Sequence, residues 1–368
     1  MTVSPSGRVS RGAGRSPTIS DVAERAGVGR STAARALGGY GQVKASVRER
    51  ILAAAAEIGY RPNNIAKSMS TGSTTTIGMV LADVSNPFFA GVAQGIAVTA
   101  RQNAHDTIII STGESIAAER DAVQTLVDKR VDGIVLASSA VERDEVEHIE
   151  RLQRAAIPVV LVDRANEFLR IDTVVIDNRA ITRTAISGLI EVGHSRVGFV
   201  LPPTIAETVR TRRDLDTYLT TSLWTERERL RGYLDALDDA GLAFDARLIL
   251  AGTSESEDLT DRYRALLLGE HPATAVFCTE TAAVISTLAA FDELDIHYPD
   301  DVSIVGFDDS PWATIMRPPL SMIRQPTFEL GAEAARLLLR RISGEAPSEP
   351  ETVTLEARLV TRASVSAP

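Results

Sequence analysis

The apolar positions of this chain change period once. From Thr18 to about Ser70 they recur at three- and four-residue spacing; from Ser73 onward, short apolar runs alternate with helix-length amphipathic stretches. In the first part Thr18 is followed three residues later by Asp21, a capping box that satisfies the first free backbone donors of a helix. Val22, Ala23 and Ala26 fall on one face of that helix, Gly27 breaks it, and Val28 supplies an apolar plug. A second helix is predicted from about Arg30 to Leu37, burying Ala33, Ala36 and Leu37. A third, near Ser46 to Ile58, packs Val47, Ile51, Ala54, Ala55 and Ile58, and Gly59 ends it. After Arg61-Pro62 comes Asn63–Met69, too short to hold a helix alone in water, so it is expected to order only against a partner.

Helix, glycine-containing turn and helix make the helix-turn-helix unit. The second helix leaves Arg30, Ser31 and Arg35 outside as a short polar face with two guanidinium groups. Such a face can read bases in a major groove, arginine matching the paired acceptors of guanine. It can equally be the solvated side of a small helix in an ordinary bundle, and these residues alone leave both readings open.

Beyond Ser73, strands are predicted at Ile77–Leu81, Thr107–Ile110, Gly133–Leu136, Val159–Val162, Val174–Ile176, Val197–Leu201, Ala275–Cys278 and Val302–Phe307, with helices between them. That alternation implies doubly wound parallel α/β sheets, whose ligands bind beyond the carboxyl ends of the strands. Asn86, Phe88 and Phe89 follow the first strand, as a hydrogen-bonding amide and a pair of aromatic walls. Asp308 follows a later strand, and Gln325 lies at a crossover. Phe88 also reads as plain core and Asp308 as a helix cap.

The pattern TISDVAERAGV, then GYRPN, the Thr71-Gly72 pair and Ile77-Gly78, resembles the lactose-repressor (LacI) family of bacterial transcription regulators, and the resemblance runs over nearly the whole chain. It implies an all-α headpiece and hinge helix followed by two doubly wound subdomains of the periplasmic-binding-protein type I kind. By position it makes Arg30, Ser31 and Arg35 the base-reading residues and Thr32 and Asn63 backbone contacts. Met69 becomes the apolar wedge of the minor groove, and Thr18 and Ala66 further DNA contacts. Arg229, in Arg229-Leu230-Arg231-Gly232-Tyr233, matches the family's effector-contacting arginine and joins Asn86, Phe88, Phe89, Asp308 and Gln325 as the effector set.

The chain departs from the family pattern in places. Gly29 and Ala33-Ala34 stand where serine and Val-Ser are usual, and Thr279-Glu280 where sugar-binding members show Asn-Asp. Pro202 to Leu223 is inserted before the Arg229 helix and carries Arg210, Arg212 and Arg213. That segment reads either as a lid whose arginines face an anionic effector or as a solvated excursion.

The expected division is a basic arm over 1–17, a headpiece over 18–61, hinge and linker over 62–75 and an effector body over 76–368. Within the body, one subdomain takes 76–163 plus 310–324 and the other 164–309 plus 325–368. Charge follows this division: residues 1–72 carry eleven Lys/Arg against four Asp/Glu, and the rest 28 against 45, a basic module on an acidic body. The single cysteine, Cys278, fits a reducing compartment. The arginine-bearing N-terminus is no signal peptide, and no apolar run is long enough to span a membrane. Catalytic motifs are missing, and the five histidines, His105, His148, His194, His271 and His297, have no ligand spacing.

The function expected is therefore a cytoplasmic repressor, nucleoid-associated when bound, with no catalysis, cofactor or metal. Its partners are pseudo-palindromic double-stranded operator DNA, a second copy of itself and a small effector: a sugar, sugar phosphate or other metabolite. The competing classes are a solute-binding protein, which would have an export signal and no headpiece, and an enzyme on the same α/β scaffold.

Overall fold

The computed structural model describes residues 17–38, 41–60, 73–202, 209, 211–250 and 259–368. They fall into two compact units divided between Thr74 and Thr75. The expected basic arm, the helix expected over Asn63–Met69 with its Asn63, Ala66 and Met69 contacts, and Arg210 lie outside the described residues.

The first unit holds α1 (Ile19–Arg25), α2 (Arg30–Gly38) and α3 (Ala45–Glu57). The Asp21 carboxylate accepts the Thr18 backbone N–H at 2.6 Å and its hydroxyl at 2.8 Å, closing the start of α1 as its spacing predicts. Val22, Ala23, Ala26, Ala33, Ala36, Ile51, Ala54 and Ala55 form the core, while Leu37, Val47 and Ile58 only half-bury against it. Most core side chains are alanines, so the helices lie close together. Arg50 Nε reinforces the packing by donating to the Ala26 carbonyl at 3.0 Å.

The second unit begins with β1 (Thr76–Leu81), α4 (Pro87–Gln102), β2 (Asp106–Ser111), α5 (Ile116–Asp128), β3 (Gly133–Leu136), α6 (Glu147–Arg154), β4 (Val159–Val162) and β5 (Asp172–Ile176). It continues with α7 (Asn178–Val192), β6 (Val197–Val200), α8 (Arg212–Thr221), α9 (Trp224–Asp239), β7 (Ile249–Leu250), α10 (Leu259–Leu268), β8 (Ala275–Cys278), α11 (Thr281–Glu293), β9 (Ser303–Phe307), α12 (Pro311–Ile315) and β10 (Ser321–Arg324). It closes with α13 (Thr327–Ser343), β11 (Thr352–Leu355) and β12 (Arg358–Val360). One sheet has the order β11-β5-β4-β3-β1-β2 and the other β12-β10-β9-β8-β6-β7. All pairings are parallel except β10 with β12. The central strands are buried along their whole length, which is why they read as unbroken apolar runs.

Sheet membership corrects the expected subdomains. Strand β5 belongs to the first sheet, β10 to the second, and α13 with β11 returns to the first. The chain therefore crosses between lobes at Asp177, at Gln325-Pro326 and at Glu356-Ala357; no crossing falls near residues 163 or 309, and the one expected at 324 is met within a residue but runs the other way, from the second sheet to the first. The edge strands, weakly apolar or only two residues long, carry the least signal in sequence. Ile249–Leu250, Thr352–Leu355 and Arg358–Val360 went unread for that reason, and so did Ser321–Arg324, an interior strand with only two apolar residues.

Helices α4 and α13 meet backbone to backbone over the first sheet. A Cβ at Gly95 would stand 2.1 Å from the Phe328 carbonyl oxygen, and one at Gly331 2.0 Å from that of Val92. Gly188, inside α7, has open space around its missing Cβ. Gly331→Ala is thus expected to force the pair apart and cost about 1–3 kcal/mol. Gly188→Ala should instead stabilise by about 0.5–1 kcal/mol through backbone entropy. Thermal melts of the two variants check the opposite signs.

Candidate functional site

Two surfaces carry candidate residues. In the headpiece, α2 is anchored by Ala33 and Ala36, and the same helical spacing leaves Arg30, Ser31 and Arg35 exposed with Thr32 half-buried beside them. Arg35 Nε rests on the Ser31 carbonyl at 3.3 Å. Thr18 is occupied at the start of α1 by its bonds to Asp21. Gly29 precedes α2 without a side-chain cap, and the backbone N–H groups of Thr32 and Ala33 bond to its carbonyl.

In the second unit, the cleft lies at the carboxyl ends of both sheets. Asn86 caps α4, its Oδ1 accepting the Phe88 N–H at 3.0 Å, so its oxygen serves the helix first. Phe88 and Phe89 are both buried and meet edge to face with centroids 4.9 Å apart. Phe88 lines a cavity of about 190 Å³ with Asp308, Gln325, Ser310 and Thr327, while Phe89 lies beneath the Arg164 guanidinium at 5.9 Å. Phe88 is thus part of the core and also lines a cavity.

Arg229, from α9, is buried with 6% of its surface exposed. Its Nε donates to Asn178 Oδ1 at 2.8 Å, one terminal nitrogen donates to the Thr279 carbonyl at 2.6 Å, and its plane stacks on Phe307 at 3.8 Å. Asp308 directly follows Phe307 with φ +69°, a left-handed conformation that aspartate tolerates better than most residues. It accepts Gln325 Nε2 at 2.6 Å and the backbone N–H of Thr281, the first residue of α11. It too is both cleft carboxylate and helix cap. Asp163 holds the matching place after β4 in the first sheet, also left-handed at φ +71°.

Sequence reasoning missed most of the charge around this group. Arg164, buried beside Asp163, reaches Glu114 at 2.5 Å and Asp163 at 3.5 Å. Glu226 accepts the Tyr218 hydroxyl at 3.0 Å, and Arg227 meets Glu167 at 3.5 Å. Burial raises the Asp163 carboxyl to about 6 against the pull of Arg164 and Arg229. Burial, with Asp308 adding to it, raises Glu280 to about 7, and Glu226 and Asp308 shift upward for the same first cause. The only advance signal was the Thr279-Glu280 departure from the expected amide pair.

Of the inserted arginines, Arg212 is held by residues outside this cleft. Arg212 stacks over Phe244 at 5.7 Å and pairs with Asp216 at 3.5 Å, and Arg213 is exposed. Both lie at the start of α8, opposite the end that delivers Tyr218 to Glu226.

Comparison with known proteins bears on both surfaces. Residues 18–63 match the model described as bacterial regulatory proteins, lacI family, and residues 186–365 a periplasmic binding protein-like domain. The HTH-type transcriptional repressor CytR of Escherichia coli is 32% identical over 331 residues, 89% of this chain and 90% of that protein. A structure of the transcriptional regulator CelR with cellobiose is similar at 30% identity and TM-score 0.66, covering 95% of this chain and 99% of that one. The Lac repressor dimer bound to operator and the anti-inducer ONPF, at 22% identity and TM-score 0.79 over 96% and 100% of the two chains, shares the fold.

The raised carboxyls set a direction for stability. A carboxyl whose folded value lies above its unfolded one holds its proton longer in the folded state, so it stabilises at low pH and loses that contribution as pH rises through the folded value. For Glu280 that window runs from about pH 5 to 8. Glu280→Gln should match the wild type near pH 5 and melt at higher temperature by pH 8, as differential scanning calorimetry at both pH values would show.

Proposed function

This chain belongs to the lacI family of bacterial regulatory proteins, a sequence-specific DNA-binding regulator of transcription, and on that premise we propose how its two surfaces divide the work. It acts as a homodimeric repressor in the cytoplasm. Each headpiece lays α2 in a major groove, so that Arg30, Ser31 and Arg35 meet base edges while Thr18 and Thr32 meet the backbone. The observation that carries this reading is the α2 face itself: two guanidinium groups and a hydroxyl left exposed by the spacing that buries Ala33 and Ala36. Two-fold pairing follows because one helix reads few bases and a pseudo-palindrome offers two half-sites. Asn63 as a further backbone contact, Ala66 as a DNA contact and Met69 as the minor-groove wedge complete the reading.

The effector enters the cleft between the two sheets, where Phe88, Arg229, Asp308 and Gln325 converge from α4, α9, the end of β9 and a crossing between lobes. Asn86 and Phe89 support that wall from α4. A ligand touching both lobes favours one relative arrangement of them. Operator affinity changes by the coupling free energy, typically 1–3 kcal/mol for such linkage. The cellobiose bound by CelR supports a small hydroxyl-rich molecule. A sugar phosphate fits poorly, since carboxylates outnumber guanidinium groups here and Arg212 and Arg213 lie elsewhere.

Selection of fragments bound by the full-length protein from its own genomic DNA, at a stated salt concentration, tests the operator half of this reading. A shared pseudo-palindrome is expected, and a pool without common sequence, with and without added metabolite extract, refutes it. Arg35→Ala should relax preference at one base position, at a cost of about 1–3 kcal/mol there. Asp308→Asn keeps the left-handed turn but removes the charge. It should weaken the effector response at least about tenfold, the worth of one charge-assisted hydrogen bond, with operator affinity unchanged.

A further inference from the structure

The charge in the cleft does not balance. Glu280 lies within electrostatic reach of Asp308, Glu114 and Glu226, and Asp163 within reach of Asp308 and Glu114; among the described residues the guanidinium groups that reach this cluster are Arg164 and Arg229. Arg164 is engaged by Glu114 and Asp163. Arg229 gives its hydrogen bonds to neutral oxygens, Asn178 Oδ1 and the Thr279 carbonyl, and its face to Phe307. Among the described residues, the Glu280 carboxylate has neither a hydrogen bond nor an ion pair. Independently of charge, Gln325, 7% exposed and lining the cavity beside Asp308, directs its Nε2 to Asp308 and leaves Oε1 without a partner. The hydroxyl of Thr281, next to Glu280, is likewise buried and unpartnered. Buried acceptors left unmatched this way are costly in an empty site. What they lack is donors and positive charge.

We propose that the effector of this chain is a small protonated amine bearing hydroxyl groups, an amino sugar or amino polyol, whose ammonium sits between Glu280 and Asp308 with Gln325 Oε1 as a further acceptor. The inference rests on the effector-cleft reading and narrows it. An ammonium has three donors and no acceptor, which matches two carboxylates and an amide oxygen; its hydroxyls match Thr281 and the cavity rim. An anion would meet excess negative charge, and a neutral sugar would leave Glu280 and Asp308 repelling each other. Binding of the amine draws the proton off Glu280, which faces Asp308, Arg229, Glu114 and Glu226. Affinity should therefore rise between pH 6 and pH 8 as the carboxyl ionises, by less than the roughly tenfold of the carboxyl alone, because a sugar ammonium begins to lose its own proton in that range.

The test uses full-length protein and matched pairs that differ at one group: glucosamine and glucose, galactosamine and galactose, mannosamine and mannose. Thermal shift and calorimetric titration are run at pH 6 and pH 8 on the wild type and Glu280→Gln. At least one amine is expected to bind at least about tenfold more tightly than its hydroxyl partner, more tightly at pH 8 than at pH 6, and to lose that advantage in Glu280→Gln. Since that variant should be more stable than the wild type at pH 8, lost binding would not reflect lost folding. A neutral sugar that binds as well as its amine, equally to both proteins, overturns the amine and leaves the effector cleft standing. Absence of binding by every amine at about 10 mM also overturns it, and the cleft is then judged by Asp308→Asn alone.

Discussion

The buried guanidinium of Arg229 is the contact on which the cleft depends. It joins the first residue of α7, the chain leaving β8 and the ring that ends β9, three segments that share no local sequence. Burying such a charge costs several kcal/mol unless its donors are matched and opposite charge is near. Here the donors are matched by neutral oxygens, and the opposite charge is supplied through space by Asp163, Asp308 and Glu280. The arginine fixes the floor of the site while the carboxylates keep their own acceptor capacity, so geometry and charge are set by different residues.

The same division of labour recurs in the headpiece. Its core is made chiefly of alanine, which brings three short helices close without large side chains, and the polar side of α2 is then free to vary without disturbing the packing. Gly29 in place of a capping serine costs the start of α2 only a few tenths of a kcal/mol. What changes is the hydroxyl offered to a phosphate, a matter of recognition and not of folding.

Fold class was legible because the central strands are buried on both faces and read as continuous apolar runs, and because Thr18 and Asp21 write a helix start locally. The crossings between lobes were not. Whether β5 belongs to one sheet or the other depends on pairing with β4 and with a strand nearly two hundred residues later, and no local pattern encodes that. At the site, Asp308 and Arg229 could be placed from strand ends and from motif. Asp163, Arg164 and Glu226 could not, since each looks in sequence like an ordinary surface charge and gains its character only where two sheets face each other. Tyr218 came from an insertion whose arginines drew attention to its wrong end.

The backbone-to-backbone seat of α13 on α4 has a consequence in time. Strands β1 to β5 and helix α4 are all made by residue 176, yet the helix that covers β3, β4 and β5 ends at Ser343. At ribosomal rates of roughly 5–20 residues per second, the glycine-lined groove of α4 waits on the order of ten seconds for its partner. During that interval the first lobe exposes apolar surface that the finished molecule hides, and the newborn chain is at its most aggregation-prone while the second lobe is still being synthesised.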